Sequence, residues 1–250
     1  MHPTPDFPAT PVDGAGRGWA SPLVRRSFLR YSGAGLAVGG LLLAGCKNDT
    51  ETIDPNANRV DVGTGDTGVL NYAYALEQLE AAFYTAVLAG SYFASASAAE
   101  KAIFSDLRDH EVIHRDFFKA AIATGRISDA LVPDFSGIDF TLRLSAAGAP
   151  KLGVLNAARA FEDLGVAAYN GAGRFIRDAD YLTLAGKIVS VEARHAAIIR
   201  ELITPNTFVG ADVVDITTTG LERSKRPPVV LETANTFLAA GSKLSANAFA

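Results

Sequence analysis

The 250-residue chain has one Cys, one Met, one Trp and only four His. A single Cys excludes an internal disulfide framework and any CxxC zinc site. An excess of one charge is missing too: 23 basic against 27 acidic side chains leave −4. There is no basic footprint for nucleic acid, and no nucleic-acid partner is expected. Charged residues make up 20% and hydrophobic ones 48%, which excludes a disordered chain and argues against a multi-span membrane protein.

The first 45 residues read as an address. Arg25-Arg26-Ser27-Phe28-Leu29 has the form of a twin-arginine export signal. The apolar run after it, Gly33 to Gly45, has 13 residues, whereas a bilayer-spanning helix needs roughly 20. It ends in Leu43-Ala44-Gly45-Cys46, which resembles the lipobox of bacterial lipoproteins. That resemblance implies cleavage before Cys46 and a lipid on its thiol, placing the mature protein in the bacterial cell envelope, in the periplasm or on the outer surface. The twin-arginine route resembles the one used for proteins exported already folded, often with a cofactor inside. Residues 46–68, rich in Asn, Asp, Thr and Gly, read as a flexible tether of about 25 Å reach. Beyond Cys46 the chain contains no Met and no Trp, so no exposed thiol or thioether is left to oxidise.

Residues 69–204 read as four long helices, an all-α four-helix bundle. The first runs from about Val69 to Ala89, opened by Asp66-Thr67 and closed by Gly90. The second opens on the capping box Ser97-Ala98-Ala99-Glu100 and stops at Gly125. The third starts near Pro150 and fades around Ile176; the fourth runs from about Asp180 to Thr204, where Pro205 ends it. Between helices 2 and 3 lie 24 residues, Arg126 to Ala149, long enough to need a topological purpose. One long crossover between two helical hairpins is such a purpose. The 46 residues of 205–250 read as an extension whose Phe237-Leu238 packs on the bundle, with Lys225-Arg226-Pro227-Pro228 a solvated turn.

Each helix carries an apolar stripe at 100° per residue, and each stripe includes a carboxylate. The stripes are Leu70, Ala73, Glu77, Tyr84, Leu88; Leu107, Glu111, His114, Phe118; Leu155, Ala158, Glu162, Tyr169, Ile176; and Ile188, Glu192, His195, Ile199, Ile203. An unpaired carboxylate in an apolar core neutralises, pairs or binds a cation, and four converging ones need a common partner. The second hairpin repeats the first: Glu77 and Glu162 each have a Tyr seven residues on. Glu111 and Glu192 each begin a Glu-x-x-His. That i,i+3 spacing puts both side chains on one helix face, in reach of one metal or of two adjacent ones. Four carboxylates and two imidazoles make the di-iron or di-manganese set of carboxylate-bridged bundles. With ten Glu after Cys46, a given His has about a 5% chance of following one by three, so two such pairs among three His are hard to assign to chance.

The pattern resembles the ferritin-like superfamily over about residues 69–204. Through Leu79-Glu80-Ala81-Ala82-Phe83-Tyr84 and Asp134-Phe135-Ser136-Gly137-Ile138-Asp139-Phe140 it is similar to exported ferritin-like proteins related to desiccation-associated proteins. The resemblance implies a ferritin-like bundle with two Fe or Mn ions on Glu77, Glu111, His114, Glu162, Glu192 and His195. Tyr84 and Tyr169 then stand beside the metals as hydrogen-bonders, as redox-active phenols or as plain core aromatics. Glu80, about 60° from Glu77 on the helical wheel, can replace or supplement it. His110, at the stripe edge, is expected near a ligand or on the surface. Asp163 is expected to face solvent or a neighbouring helix.

The function expected is oxidative-stress redox chemistry, either Fe(II) oxidation or peroxide removal. The alternative is a stress- or desiccation-associated protein that binds metal without turnover. A storage cage fits poorly with a lipid anchor and a long extension, since cages need free subunits that close symmetrically. The partners expected are metal ions, a small oxygen species and a membrane reached through the lipid on Cys46, with a homodimer left open.

Overall fold

A computed structural model describes residues 58–250. The twin-arginine segment, the lipobox, Cys46 and the tether up to residue 57 lie outside the described residues. Among these residues no helix is long and apolar enough to cross a membrane.

In chain order the elements are β1 (Val60–Asp61), α1 (Gly65–Ala89), α2 (Ser91–Ser95), α3 (Ala98–Ala121), β2 (Ile138–Asp139), β3 (Leu152–Gly153), α4 (Val154–Ala172), α5 (Ala179–Ile203), α6 (Pro227–Ala234) and β4 (Leu244–Ser245). Four long helices, α1, α3, α4 and α5, form the expected bundle. α1 packs most closely on α3 and α4 on α5, giving two hairpins joined by the crossover of residues 122–153. α1 and α4 are the central pair and are buried on nearly every side, whereas α3 and α5 each bury one face.

Helix boundaries differ from the sequence expectation where side-chain pattern is silent. α1 begins at Gly65, because Gly63 and Gly65 take positive φ of 90° and 61° and Asp61 accepts the Gly63 N–H at 2.7 Å. Its first turn holds no apolar residue before Val69, so periodicity could not show it. The Ser97 capping box opens α3 as expected. α3 ends at Ala121 rather than Gly125: Ile122 leaves helical geometry, and Arg126 donates to the Lys119 and Ile122 carbonyls. α4 begins at Val154 rather than Pro150. Leu152–Gly153 pairs in parallel with Ile138–Asp139 instead. Gly153 lies against the Leu144–Ser145 backbone, where a Cβ would stand 2.7 Å from the Leu144 carbonyl carbon.

The crossover is ordered by its aromatics. Phe135 and Phe140 lie 6.1 Å and 6.2 Å from Phe83 on α1, and Phe83 is 4.7 Å from Phe161 on α4 (ring centroids). Phe237 closes the same cluster, 4.6 Å from Phe161, and Leu238 is buried beside it. The C-terminal extension thus packs on the bundle.

Two expectations are corrected by these contacts. The tether does not run to residue 68: Val60–Asp61 pairs in parallel with Leu244–Ser245, so the chain is anchored from β1 onward. Lys225-Arg226-Pro227-Pro228 is not merely a solvated turn. The Lys225 N–H donates to the Ala167 carbonyl at 3.0 Å, and Pro227 opens α6. The Lys225 carbonyl lies over Gly171, where a Cβ would come within 1.7 Å of the oxygen. Gly171→Ala should therefore cost about 1–3 kcal/mol, as overpacking does. It should lower the thermal midpoint, and an unchanged midpoint would show that residue 225 does not press on α4.

Candidate metal centre

The four inward carboxylates meet at one level of the bundle. Glu77 comes from α1, Glu111 from α3, Glu162 from α4 and Glu192 from α5, and all four are 0% exposed. His114 and His195, one turn beyond Glu111 and Glu192, turn Nδ1 toward them. His114 Nδ1 lies 2.9 Å from Glu192 Oε1 and 3.5 Å from both Glu77 Oε2 and Glu111 Oε2. His195 Nδ1 lies 2.8 Å from Glu111 Oε1 and 3.6 Å from both Glu162 Oε2 and Glu192 Oε2.

Two groups of four result, each with one atom per residue within 4.8 Å of the others. They are Glu77, Glu111, His114, Glu192 and Glu111, Glu162, Glu192, His195. Glu111 and Glu192 belong to both and give one oxygen to each. All six residues expected at the site are thus brought together. The inward atoms, six carboxylate oxygens and two imidazole nitrogens, are buried without a hydrogen bond of acceptable geometry, despite the short approaches just given. Burial of such polar atoms is costly unless shared protons or a bound cation compensate it.

The tyrosines cross between the hairpins. Tyr84 on α1 donates its hydroxyl to Glu162 Oε1 on α4, and Tyr169 on α4 donates to Glu77 Oε1 on α1. Each satisfies the outer oxygen of a terminal Glu and leaves its inner oxygen free. Burial first, then the neighbouring carboxylate, pushes both phenols well above their usual range, so they remain donors.

Protons and charges are unevenly shared. Burial raises Glu77 and Glu80 well above the carboxylate range, and Glu162 to about 8. Burial also works against ionised Glu111, yet His114 and His195 hold it down at about 2. For the imidazoles burial alone would lower the pKa, but the surrounding carboxylates outweigh it. They lift His114 to about 12 and His195 well above its usual range.

Glu80 is buried beside the cluster but belongs to neither group, so Glu77 is the α1 residue inside it. His110 is exposed and at the same time bonded to the site: its Nδ1 is 2.9 Å from His195 Nε2, with the two rings stacked. Sequence placed His110 only at a stripe edge, since nothing on α3 tells which residue of α5 it will meet. Asp163 faces Arg200, with bonds of 2.8 and 2.7 Å, and takes no part in the cluster.

The sequence model of the ferritin-like domain matches residues 65–205. The chain belongs to the ferritin-like domain family. Membership accounts for the long crossover, and clustered buried carboxylates and imidazoles of the kind found here suit a metal site. No curated protein matches the sequence.

Proposed function

We propose that this ferritin-like chain is an exported dimetal-carboxylate protein. Glu77, Glu111, His114, Glu162, Glu192 and His195 hold two Fe or Mn ions for oxidative-stress redox chemistry, either Fe(II) oxidation or peroxide removal. The observation that carries the proposal is the convergence of buried inward atoms that no hydrogen bond satisfies. Four carboxylates match the four positive charges of two divalent ions, and carboxylate with imidazole suits Fe and Mn better than soft-metal chemistry.

Such ions, when bound, supply electrons to an oxygen species. The protein's part is positioning. Glu111 and Glu192 face both positions, while Glu77 and Glu162 each serve one and are oriented by Tyr169 and Tyr84. The hydrophobic cluster of Phe83, Phe161 and their neighbours keeps water from the central helices. His114 has 12% side-chain exposure, the most open of the six, and marks the edge nearest solvent.

The test is metal analysis after anaerobic loading with Fe(II) or Mn(II), then Fe(II) oxidation by dioxygen and peroxide turnover. Two ions per chain with turnover supports the proposal. Two ions without turnover would make this a metal-binding stress protein, and a folded protein that takes up no metal would make the cluster a network of ion pairs. For location, Cys46→Ala should release the domain from membranes without unfolding it. Finding the unaltered protein freely soluble with residues 1–45 attached would remove the lipid anchor.

A further inference from the structure

The two halves of the site follow one pattern. Glu77 and Tyr84 on α1 correspond to Glu162 and Tyr169 on α4, both 85 residues on; Glu111 and His114 correspond to Glu192 and His195, both 81 residues on. The correspondence breaks one turn beyond Glu77, where α1 carries Glu80 and α4 carries Gly165 at the matching position.

The two departures fit each other in space. A Cβ on Gly165 would stand 3.1 Å from Glu80 Oε1 and 3.8 Å from Glu192 Oε2. Glycine at 165 therefore leaves the room in which the Glu80 carboxyl lies. The Glu192 oxygen on that side is the one turned to His195 at 3.6 Å; the other oxygen serves His114 at 2.9 Å. One turn further along α1, Tyr84 bonds Glu162, which belongs to the same half. Glu80 is 4% exposed and, among the described residues, has no ion-pair partner. A buried carboxyl in this state holds a proton until a cation takes its place.

We propose that Glu80 is a fifth carboxylate of the site that serves only the position around Glu162 and His195, so that two ions bind unequally and that position fills first. The inference rests on the metal-binding reading above and adds an order of filling to it. Gly165 is the positioning residue: without a side chain there, Glu80 can turn inward.

Titration with Mn(II) alone, followed by electron paramagnetic resonance on the full mature protein, tests this. At one Mn(II) per chain the wild type should show an isolated ion, and the spin-coupled pair should appear only with the second. The affinity gap should be about tenfold or more, the range that ligand-supporting groups command. Glu80→Gln keeps the shape and should still bind two ions, but the gap should shrink to less than about threefold, so that coupled pairs arise before the first equivalent is complete. Gly165→Ala should do the same by pushing Glu80 aside with its charge intact; circular dichroism checks that both variants fold. Wild type that binds two ions in no order would overturn this inference and leave the metal centre standing. Unchanged order in Glu80→Gln would also overturn it, as would unchanged order in Gly165→Ala. Wild type that binds no Mn(II) and no Fe(II) would instead overturn the metal centre itself.

Discussion

Glu111→Gln and Glu192→Gln will each abolish uptake of both ions, whereas Glu77→Gln and Glu162→Gln will each abolish one. The asymmetry follows from the geometry. Glu111 places Oε2 at 3.5 Å from His114 Nδ1 and Oε1 at 2.8 Å from His195 Nδ1, so one side chain completes both groups. Glu192 does the same with its two oxygens, at 2.9 Å and 3.6 Å. Glu77 and Glu162 each turn only one oxygen inward, the other being taken by Tyr169 or Tyr84. Glutamine keeps the volume, so the effect reads charge and not a cavity. In the wild type, free metal at about 100 times its dissociation constant should add about 2.7 kcal/mol of stability per site, seen as a higher thermal midpoint. The Glu111 and Glu192 variants should gain almost none of it. A Glu111→Gln protein that still holds two ions per chain would refute the shared-ligand arrangement.

Raising the pH will weaken the metal-free fold and strengthen metal binding. Glu162 is raised from its ordinary 4.5 to about 8, so its protonated form stabilises the fold fully below 4.5 and loses that contribution as pH climbs through 8. His114 is raised from 6.5 to about 12, so its contribution is complete below 6.5 and declines above it toward 12. Glu162 acts between about pH 4.5 and 8 and His114 from about pH 6.5 upward, both with the same sign, so together they should make the metal-free midpoint fall from about pH 5 to pH 9. Glu111, lowered from 4.5 to about 2, acts with the opposite sign but only as pH drops below 4.5. Metal ions compete for the same oxygens and nitrogens, so binding releases protons and tightens as pH rises. Calorimetric titration in two buffers of different ionisation enthalpy counts those protons. Binding with no proton release, or a metal-free midpoint that rises from pH 5 to 9, would contradict the protonation described here.

How far the sequence reached depended on the range of each interaction. The Glu-x-x-His pairs, the Glu–Tyr spacings and the Ser97 capping box are local. Helical geometry alone places their side chains on one face, so residues 69–204 already specified four inward carboxylates on four helices, one long crossover and a repeated half-site. The departures came where the backbone answers to something distant. β1 is ordered because Leu244–Ser245 lies beside it, and α4 starts late because residues 152–153 pair with 138–139.

Within the site the division is the same. That Glu77, Glu111, His114, Glu162, Glu192 and His195 share a centre could be read from period and repetition. That Glu111 and Glu192 are common to both groups could not, nor that each tyrosine serves the opposite helix, nor that His110 meets His195. A carboxylate's partner depends on the axial stagger and rotation of neighbouring helices, which are set by core packing across α1 and α4 and not by residues adjacent in sequence. Glu80 shows the limit most plainly. At about 60° from Glu77 on the helical wheel the two are near-equivalent candidates. Only the fold separates them: Glu77 lies inside one of the two groups, whereas Glu80 lies beside them, its carboxyl in the room left by the missing side chain of Gly165, 85 positions away.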